Sequence, residues 1–566
     1  SIQDQLPAEV LERVLDNLLH LSDLRKLRLV NRRLCHLVDC LIERRKCHFR
    51  AALDGRHGLC WSRIRHVTGQ PSPFSSLRLS AAVAKCGNYV YLFGGVSEPN
   101  QVPLNDLWRL SIESSDSECR WERVMSSGQF PEPRSHASLT CYANTQLVLF
   151  GGYLFHASPC ASVVGDVHVL DTRSHRWQLL LLSDHAASSA SAADPRPQPA
   201  IEPLTSHAAC VFMRKYLLIT GGLTSQSVLS DRIWLINLSD GTCLSAPHAL
   251  TYDNDDRSNP AGGDDDNPEE AEQPHQRRYP LPRHNHAMEA LDDCRVIICG
   301  GEVRPNQFCS EVWLLSCSAS PDAGQSAILS ELTWCRLAQP RSPYSPPASR
   351  YLTACLLPAS GADCSDDGYR RLVCLSGAGA AYAAKIGRLR ERTLVRMLAQ
   401  QQRQRVLLQQ QQASQRPPGA SIRGNANQRN LMRLQRLQEY QDRLALLRPH
   451  HHRFDGPDGA SGNRLRHSYL CPYVLRISVD RPSEDSHWLE VPASAGVSFD
   501  SAPLDLHRYT ALACQHQLLL LNCFCALQRH FPVSHPFVQP VGLLSDDQQY
   551  RNAACEMFLL YPAGRT

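Results

Sequence analysis

Apolar residues recur at two different spacings, and the change falls near residue 50. After Pro7, which suits a first helical turn where a missing N–H costs nothing, Val10, Leu11, Val14, Leu15 and Leu18 share one helical face. Leu21-Ser22-Asp23-Leu24 interrupts that run, with Ser22 as an N-cap. A second helix carrying Leu24, Leu27 and Val30 is predicted, then a third from about Arg32 carrying Leu34, Leu37, Val38 and Leu41. Three short helices in about 45 residues do not bury all these leucines internally. Apolar surface is therefore expected to remain for a partner; the plainer alternative is a small helical domain packed on its own neighbour.

Beyond residue 60 the period shortens to that of strands. Apolar runs ending in paired glycine recur as YVYLFGG (89–95), QLVLFGG (146–152), KYLLITGG (215–222) and RVIICGG (295–301). Each is followed by an acidic or small residue and an alternating strand: NDLWRL, GDVHVLD, SDRIWLIN and SEVWLLS. Trp121, Trp177 and Trp334 then open a further strand, and another precedes each glycine pair, as in RSHASLTCY from 134. The pairs Gly94 and Gly95, Gly151 and Gly152, Gly221 and Gly222, and Gly300 and Gly301 remove side chains where the chain must turn sharply and pack closely. Two weaker units follow, from Ser349-Arg350-Tyr351 and from His507-Arg508-Tyr509. The last reaches only its third strand, EMFLLYP, whereas Cys60-Trp61-Ser62-Arg63-Ile64-Arg65 is a fourth-strand signature with no unit of its own. Residues 60–67 are expected to complete the last unit and leave few open edges. An open or five-unit ring is the alternative.

The formal net charge of +4 hides two blocks: residues 253–272 hold nine acidic side chains, and residues 385–448 hold fourteen Lys or Arg against three acids. The basic block has helical composition at 386–412 and 427–447. It reads as a basic helix for an acidic partner or RNA, as a low-complexity insert, or as an internal partner of the acidic loop. Few aromatics interleave with its arginines, so base stacking is not indicated and nucleic acid is not an expected partner. The 23 cysteines are dispersed, many within apolar runs, and no zinc-type spacing links them, which points to a reducing compartment, cytoplasm or nucleus. His450–His452 read as a solvated loop, and no metal or cofactor is expected. No apolar run of about 18 residues suggests a membrane span.

Four strands per unit, the glycine pairs and the tryptophan strand resemble kelch repeats, one per propeller blade. Leu6-Pro7-x-Glu9-Val10-Leu11, Leu18, Leu21-Ser22-Asp23-Leu24 and Leu29-Val30-Asn31-Arg32 resemble an F-box, with Leu34 or Cys35 where the family carries tryptophan. The expected fold is mainly β: a six-bladed kelch β-propeller closed by an N-terminal strand and preceded by a small three-helix F-box. Its parts are 1–50 (F-box), 51–67 (linker and closing strand), 68–377 (blades one to five, first part), 378–468 (insert) and 469–566 (the rest of blade five, and blade six).

The resemblance implies a substrate adaptor. Leu6, Pro7, Val10, Leu11, Leu15 and Leu24 would dock on a Skp1-like protein, and through it on cullin and RING subunits. A protein substrate would be held by the propeller for ubiquitination. The chain would not itself be an enzyme: no nucleophile elbow and no sialidase-type box is present. A kelch scaffold without ligase linkage is the competing class. Loops joining second to third and fourth to first strands share one end of a propeller and are the most elaborated, so binding is expected there, with the F-box at the other end. Candidate contacts are Arg134, His136, Arg283, His286, Arg350, His507 and Arg508, since an arginine fork suits carboxylate or phosphate groups. The alternative is that they brace loops between blades.

Overall fold

The computed structural model describes Pro7, Val10, Leu11, Leu15 and residues 27–55, 59–66, 78–97, 102–111, 118–119, 121–154, 162–184, 201–248, most of 278–358, 368–377, 470–490, 507–514, 517–525 and 557–562. Leu6, Leu24, Arg350, the acidic run and the whole 378–468 insert lie outside these residues.

Helix α1 (Arg32–Leu53) starts where the polar break predicts: Asn31 Oδ1 accepts the N–H of Leu34 at 2.8 Å. It runs unbroken for 22 residues, about 33 Å at 1.5 Å per residue, and passes residue 50. The reason lies in its two separate apolar stripes. Leu34, Leu37, Val38 and Leu41 pack on Leu11 and Leu15. Phe49, Ala52 and Leu53 pack instead on the β region. One helix therefore serves two cores.

Strand β1 (Leu59–His66) follows. Five blades are then built from consecutive antiparallel strands. Blade one holds β2 (Ala82–Cys86), β3 (Tyr89–Ser97), β4 (Val102–Ser111) and β5 (Trp121–Val124). Blade two holds β6 (Ser138–Tyr142), β7 (Gln146–Leu154), β8 (Ser162–Asp171) and β9 (Arg176–Leu180). Blade three holds β10 (Ala208–Phe212), β11 (Tyr216–Thr220), β12 (Arg232–Asn237) and β13 (Thr242–Pro247). Blade four holds β14 (Ala287–Ala290), β15 (Arg295–Cys299), β16 (Val312–Cys317) and β17 (Leu332–Leu337). Blade five holds β18 (Thr353–Leu356), β19 (Tyr369–Gly377), β20 (Leu470–Ser478) and β21 (Ser486–Leu489).

A further sheet joins the two ends of the described chain. It comprises β22 (His507–Cys514), β23 (Gln517–Cys525), β24 (Met557–Pro562) and then β1. Trp61 of β1 stands opposite Leu560 of β24. First strands touch in succession from β2 through β6, β10, β14, β18 and β22, and β22 returns to β2.

The core lies between sheets. Fully buried Trp177 of blade two meets Phe93 of blade one edge-on at 5.5 Å. Trp121 of blade one packs on Leu519 and Leu521 of the end-joining sheet. Trp61 of that sheet packs on Val373 and Leu375 of blade five, and Trp334 of blade four packs on the core shared with blade three.

The glycine pair divides its work between two neighbours. A Cβ on Gly151 would meet Leu204 O of the next blade at 2.6 Å, and one on Gly152 would meet Ser135 O of its own blade at 2.7 Å. Gly221 repeats this against Arg283 O at 2.1 Å and Gly222 against Thr205 O at 2.9 Å. All eight glycines have positive φ.

The sharp turn expected at these pairs is corrected at Gly95. Gly95 lies inside β3 and does not end it: the register with β4 shifts between Phe93 and Gly95, then pairing resumes with Gly95 opposite Leu104. β15 ends at Cys299, before its glycine pair, where Gly300 N donates to Glu311 O (3.2 Å) and Cys309 N to Gly301 O (3.0 Å). Two successive positive φ values kink β3 as a bulge without releasing its partner. The close packing at Gly301 is real nonetheless, because a Cβ there would stand 2.9 Å from both His284 O and His286 Cβ.

Candidate functional site

Arg134 lies just before β6 and Arg283 just before β14. Both are buried, and neither guanidinium is open to a ligand. Arg134 donates from Nη1 to Gly151 O (3.2 Å) and Asp166 Oδ1 (2.6 Å), from Nη2 to Asp166 Oδ2 (2.9 Å) and from Nε to Glu132 O (3.1 Å). Arg283 donates to Gly300 O (3.0 Å), Leu281 O (2.9 Å) and Glu311 Oε2 (3.4 Å). Arg78 in blade one repeats the arrangement with Gly94 O (2.8 Å) and both oxygens of Asp106 (2.6 and 2.8 Å). Each arginine ties the first strand to the glycine pair and to an acid at the start of the third strand. The expectation that Arg134 and Arg283 grip a substrate is thus corrected: a guanidinium this desolvated is already committed to its own blade.

The acids were legible only in part. They stand two residues before an aromatic of the third strand, as Asp106-x-Trp108, Asp166-x-His168 and Glu311-x-Trp313. The aromatic ring nitrogen lies 2.6, 2.9 and 3.0 Å from the carboxylate. Burial pushes the Asp166 carboxyl up. The His168 and Arg134 hydrogen bonds outweigh that and hold it well below the usual carboxylate range. In blade three both partners change together. By strand register Leu204 occupies the arginine position, and Arg232 occupies the acid position.

The histidines bridge blades. His136 Nε2 lies 3.0 Å from Ser80 Oγ, His207 Nε2 2.8 Å from Ser138 Oγ, and His286 Nε2 2.9 Å from Thr220 Oγ1. Beside them a run of backbone bonds passes from blade to blade: His136 N to Ser80 O (3.0 Å), Ser206 N to His136 O (3.0 Å) and Asn285 N to Ser206 O (2.9 Å). Ser80, His136, Ser206 and Asn285 all have positive φ, so the brace demands a strained backbone at equivalent places. His136 and His286 are thereby reassigned from contacts to braces. Strand β22 begins at His507 and Arg508, whose side chains lie outside the described residues.

Among the described residues, several large apolar side chains are exposed where sequence patterns gave little signal. Outside the helical module, Met125, Phe130, Leu181, Tyr279, Tyr344 and Val228 are exposed in connections from fourth to first or second to third strands. The chain leaving blade one pairs in parallel with β9, Gly128 opposite Trp177, and Gln129 Oε1 accepts the N–H of Leu179 at 2.7 Å. Phe130 follows this pairing, exposed and edge-on to Trp177 at 6.4 Å between ring centroids, and Leu179 and Leu181 are exposed at the end of β9 and just beyond it.

At the helical end, Pro7 and Val10 are exposed, as are Leu29 and Val30 in the turn before α1. Leu11 and Leu15, expected to face a partner, instead fill the core of the module. They lie four residues apart and face α1, so its apolar stripe claims them first. Among the described residues no group of His, Cys, Asp or Glu is arranged to hold a metal. No described helix is long and apolar enough to cross a membrane.

These four-stranded blades define a β-propeller, and comparison with known proteins finds kelch repeats in part of it. A profile of the KLHDC2/KLHL20/DRC7 Kelch-repeats domain matches residues 53–242. The chain is 30% identical over 142 residues to the F-box/kelch-repeat protein At1g51550 of Arabidopsis thaliana, covering 25% of this chain and 27% of that protein. It is 28% identical over 135 residues to Host cell factor 1 of Homo sapiens, 22% of this chain and 6% of that one. It is 32% identical over 118 residues to tRNA wybutosine-synthesizing protein 2/3/4 of Oryza sativa subsp. japonica, 21% and 10% respectively. The chain thus matches about a quarter or less of these relatives' lengths. The structure of YjhT aligns over 57% of this chain and 78% of its own at 14% identity, with a TM-score of 0.34.

Proposed function

We propose that the chain is a substrate-recognition subunit of a Skp1–cullin–F-box ubiquitin ligase. In this reading the end-joining sheet is a sixth blade that closes the propeller, and the order of F-box, tryptophan strand and kelch blades resembles F-box only protein 42. The N-terminal module binds a Skp1-like protein through Pro7, Val10 and their neighbours Leu6 and Leu24, with Leu29 and Val30 extending the apolar surface. Cullin and RING subunits follow through Skp1. The propeller holds a protein substrate by its elaborated loops and by the Phe130–Leu179–Leu181 strip. The chain supplies no reacting group; it raises the effective concentration of a substrate lysine near a charged E2.

The observation that carries this reading is α1. One stripe completes the helical module while the other is sealed into the propeller, and Pro7, Val10, Leu29 and Val30 stay exposed. The helix meets blade five at the first-to-second strand end, where Arg50 Nη2 donates to Pro358 O at 3.0 Å. This is opposite the end that carries the long connections and supports holding the substrate away from Skp1.

Two variants captured side by side under proteasome inhibition test the proposal. Leu6→Asp plus Val10→Asp is expected to lose Skp1 and ubiquitinated material while keeping other partners. Phe130→Asp plus Leu179→Asp is expected to keep Skp1 and lose the substrate. Full ubiquitination of the captured partners with the first variant would leave a kelch scaffold as the better reading.

A further inference from the structure

Blade three lacks an anion that three other blades carry. In blade one, Asp106 accepts three bonds at once: from Arg78 Nη1 (2.6 Å), Arg78 Nη2 (2.8 Å) and Trp108 Nε1 (2.6 Å). Blades two and four repeat the acid and the aromatic two residues later. Trp234 holds the aromatic position in blade three. It stands opposite Ile219, two residues before Gly221, as Trp108 stands opposite Leu92, two residues before Gly94. Two residues ahead of Trp234, however, stands Arg232 in place of the acid, and buried Leu204 replaces the arginine of the first strand.

The exchange leaves two donors without an anion. Trp234 Nε1 is buried and has no acceptor. The exposed Arg232 guanidinium lies 5.7 Å from the centre of the Trp234 ring. It donates from Nε (3.0 Å) and Nη2 (2.5 Å) to Ser245 Oγ, which stands opposite Trp234 on β13. Among the described residues it forms no ion pair, not even with the preceding Asp231. A single neutral hydroxyl is a poor match for a guanidinium, whose fork suits two oxygens of one anion.

We propose that blade three binds a carboxylate of an acidic peptide, Arg232 and Trp234 supplying the donors. The carboxylate takes the place that Asp106 fills in blade one. Arg232 leaves Ser245 and donates to both oxygens, and one of these also accepts the Trp234 Nε1–H. Because Arg232 is exposed at the start of β12, the ligand reaches it without opening the core between blades. The start of a third strand lies at the propeller end that carries the second-to-third connections. The site thus gives a chemical class to the substrate of the receptor reading above, and rests on that reading for the partner's role alone.

The test uses the full chain with its eight tryptophans labelled with nitrogen-15, titrated with sodium acetate and, as a salt control, sodium chloride. The Trp234 indole N–H signal, assigned by its loss in Trp234→Phe, is expected to move downfield and saturate with acetate and to stay in place with chloride. Arg232→Gln is expected to weaken the response about tenfold. Arg232→Asp restores an internal carboxylate two residues from the indole, so the signal should shift without acetate and respond no further. Two otherwise neutral peptides, one with an internal glutamate and one with only a free terminal carboxylate, distinguish the sources, the tighter being the source of the carboxylate. No saturable shift with acetate, a shift with inorganic phosphate alone, or an undiminished response in Arg232→Gln overturns the proposal. None of these readouts involves Skp1, so their failure leaves the ligase reading standing, and a chain that answers acetate but not Skp1 loses only the latter.

Discussion

Arg371 Nε and Nη2 each reach a different oxygen of Asp54 at 2.7 Å, clamping the C-cap of α1 to the second strand of blade five. The pair is mostly shielded from water and spans 317 residues of sequence. It joins the helix that completes the N-terminal module to the sheet that receives Phe49 and Leu53.

Removing one member of this pair leaves the other charge poorly solvated. Arg371→Met is expected to cost about 3 kcal/mol, read from urea denaturation. Asp54→Ala should cost a similar amount, and the double variant much less than their sum, because the two act as one unit.

The glycine pairs give a sharper steric test. Gly221 sits at φ +60 with the carbonyl of Arg283 2.1 Å from where a Cβ would be. The obstacle is backbone of the adjoining blade, not a movable side chain. Gly221→Ala should therefore destabilise by about 2 kcal/mol or more, whereas Gly324→Ala, with nothing within 4 Å, should change stability little. Thermal unfolding of the two variants compares them directly.

Acid should destabilise the fold through two buried histidines. Burial lowers His207 to about 3 and His248 to about 4. Both stay neutral in the folded chain, while the unfolded chain takes up protons below about 6.5. Their stabilising contribution is complete above that value and falls as pH drops toward 3 and 4, by up to about 1.4 kcal/mol per pH unit for each. Denaturation midpoints between pH 7 and 4 should decline less steeply in His207→Asn and His248→Gln than in the parent.

Glu289 acts in the opposite sense. Burial raises it to about 8, against the lowering effects of Arg370 and the N–H of Leu356. The folded chain holds its proton at neutral pH, and the unfolded chain releases it above about 4.5. Stability is lost as pH rises between those values. Glu289→Gln keeps an acceptor for Leu356 and should gain stability over the parent as pH climbs from 5 to 8, measured by urea denaturation across that range.

Much of the fold could be read from residue order because it repeats. The glycine pairs, the fourth-strand tryptophans and the orphan Trp61 strand each report a local requirement for close approach, a filled boundary or a missing edge partner. That Gly95 bulges within its strand, where a turn was expected, depends on pairing with Leu104 across the hairpin. Roles that depend on where a neighbour lies were harder. Arg134 and Arg283 look like surface forks until Asp166 and Glu311, about 30 residues away, are seen to fill them. Leu11 and Leu15 share a face with exposed Val10 in sequence, yet α1 claims only the first two. The parallel pairing that lays Ser127 and Gly128 beside Arg176 and Trp177 of the next blade is one that no periodicity announces.

In the proposed role, the exposed apolar residues ahead of α1 engage a Skp1-like subunit while the propeller stays free for a substrate. Direct titration of the purified chain with Skp1 tests it. Binding is expected for the parent, with at least a tenfold loss, about 1.4 kcal/mol, for Val10→Asp plus Leu29→Asp at unchanged unfolding temperature. No binding by the parent, or equal binding by the folded variant, would contradict it.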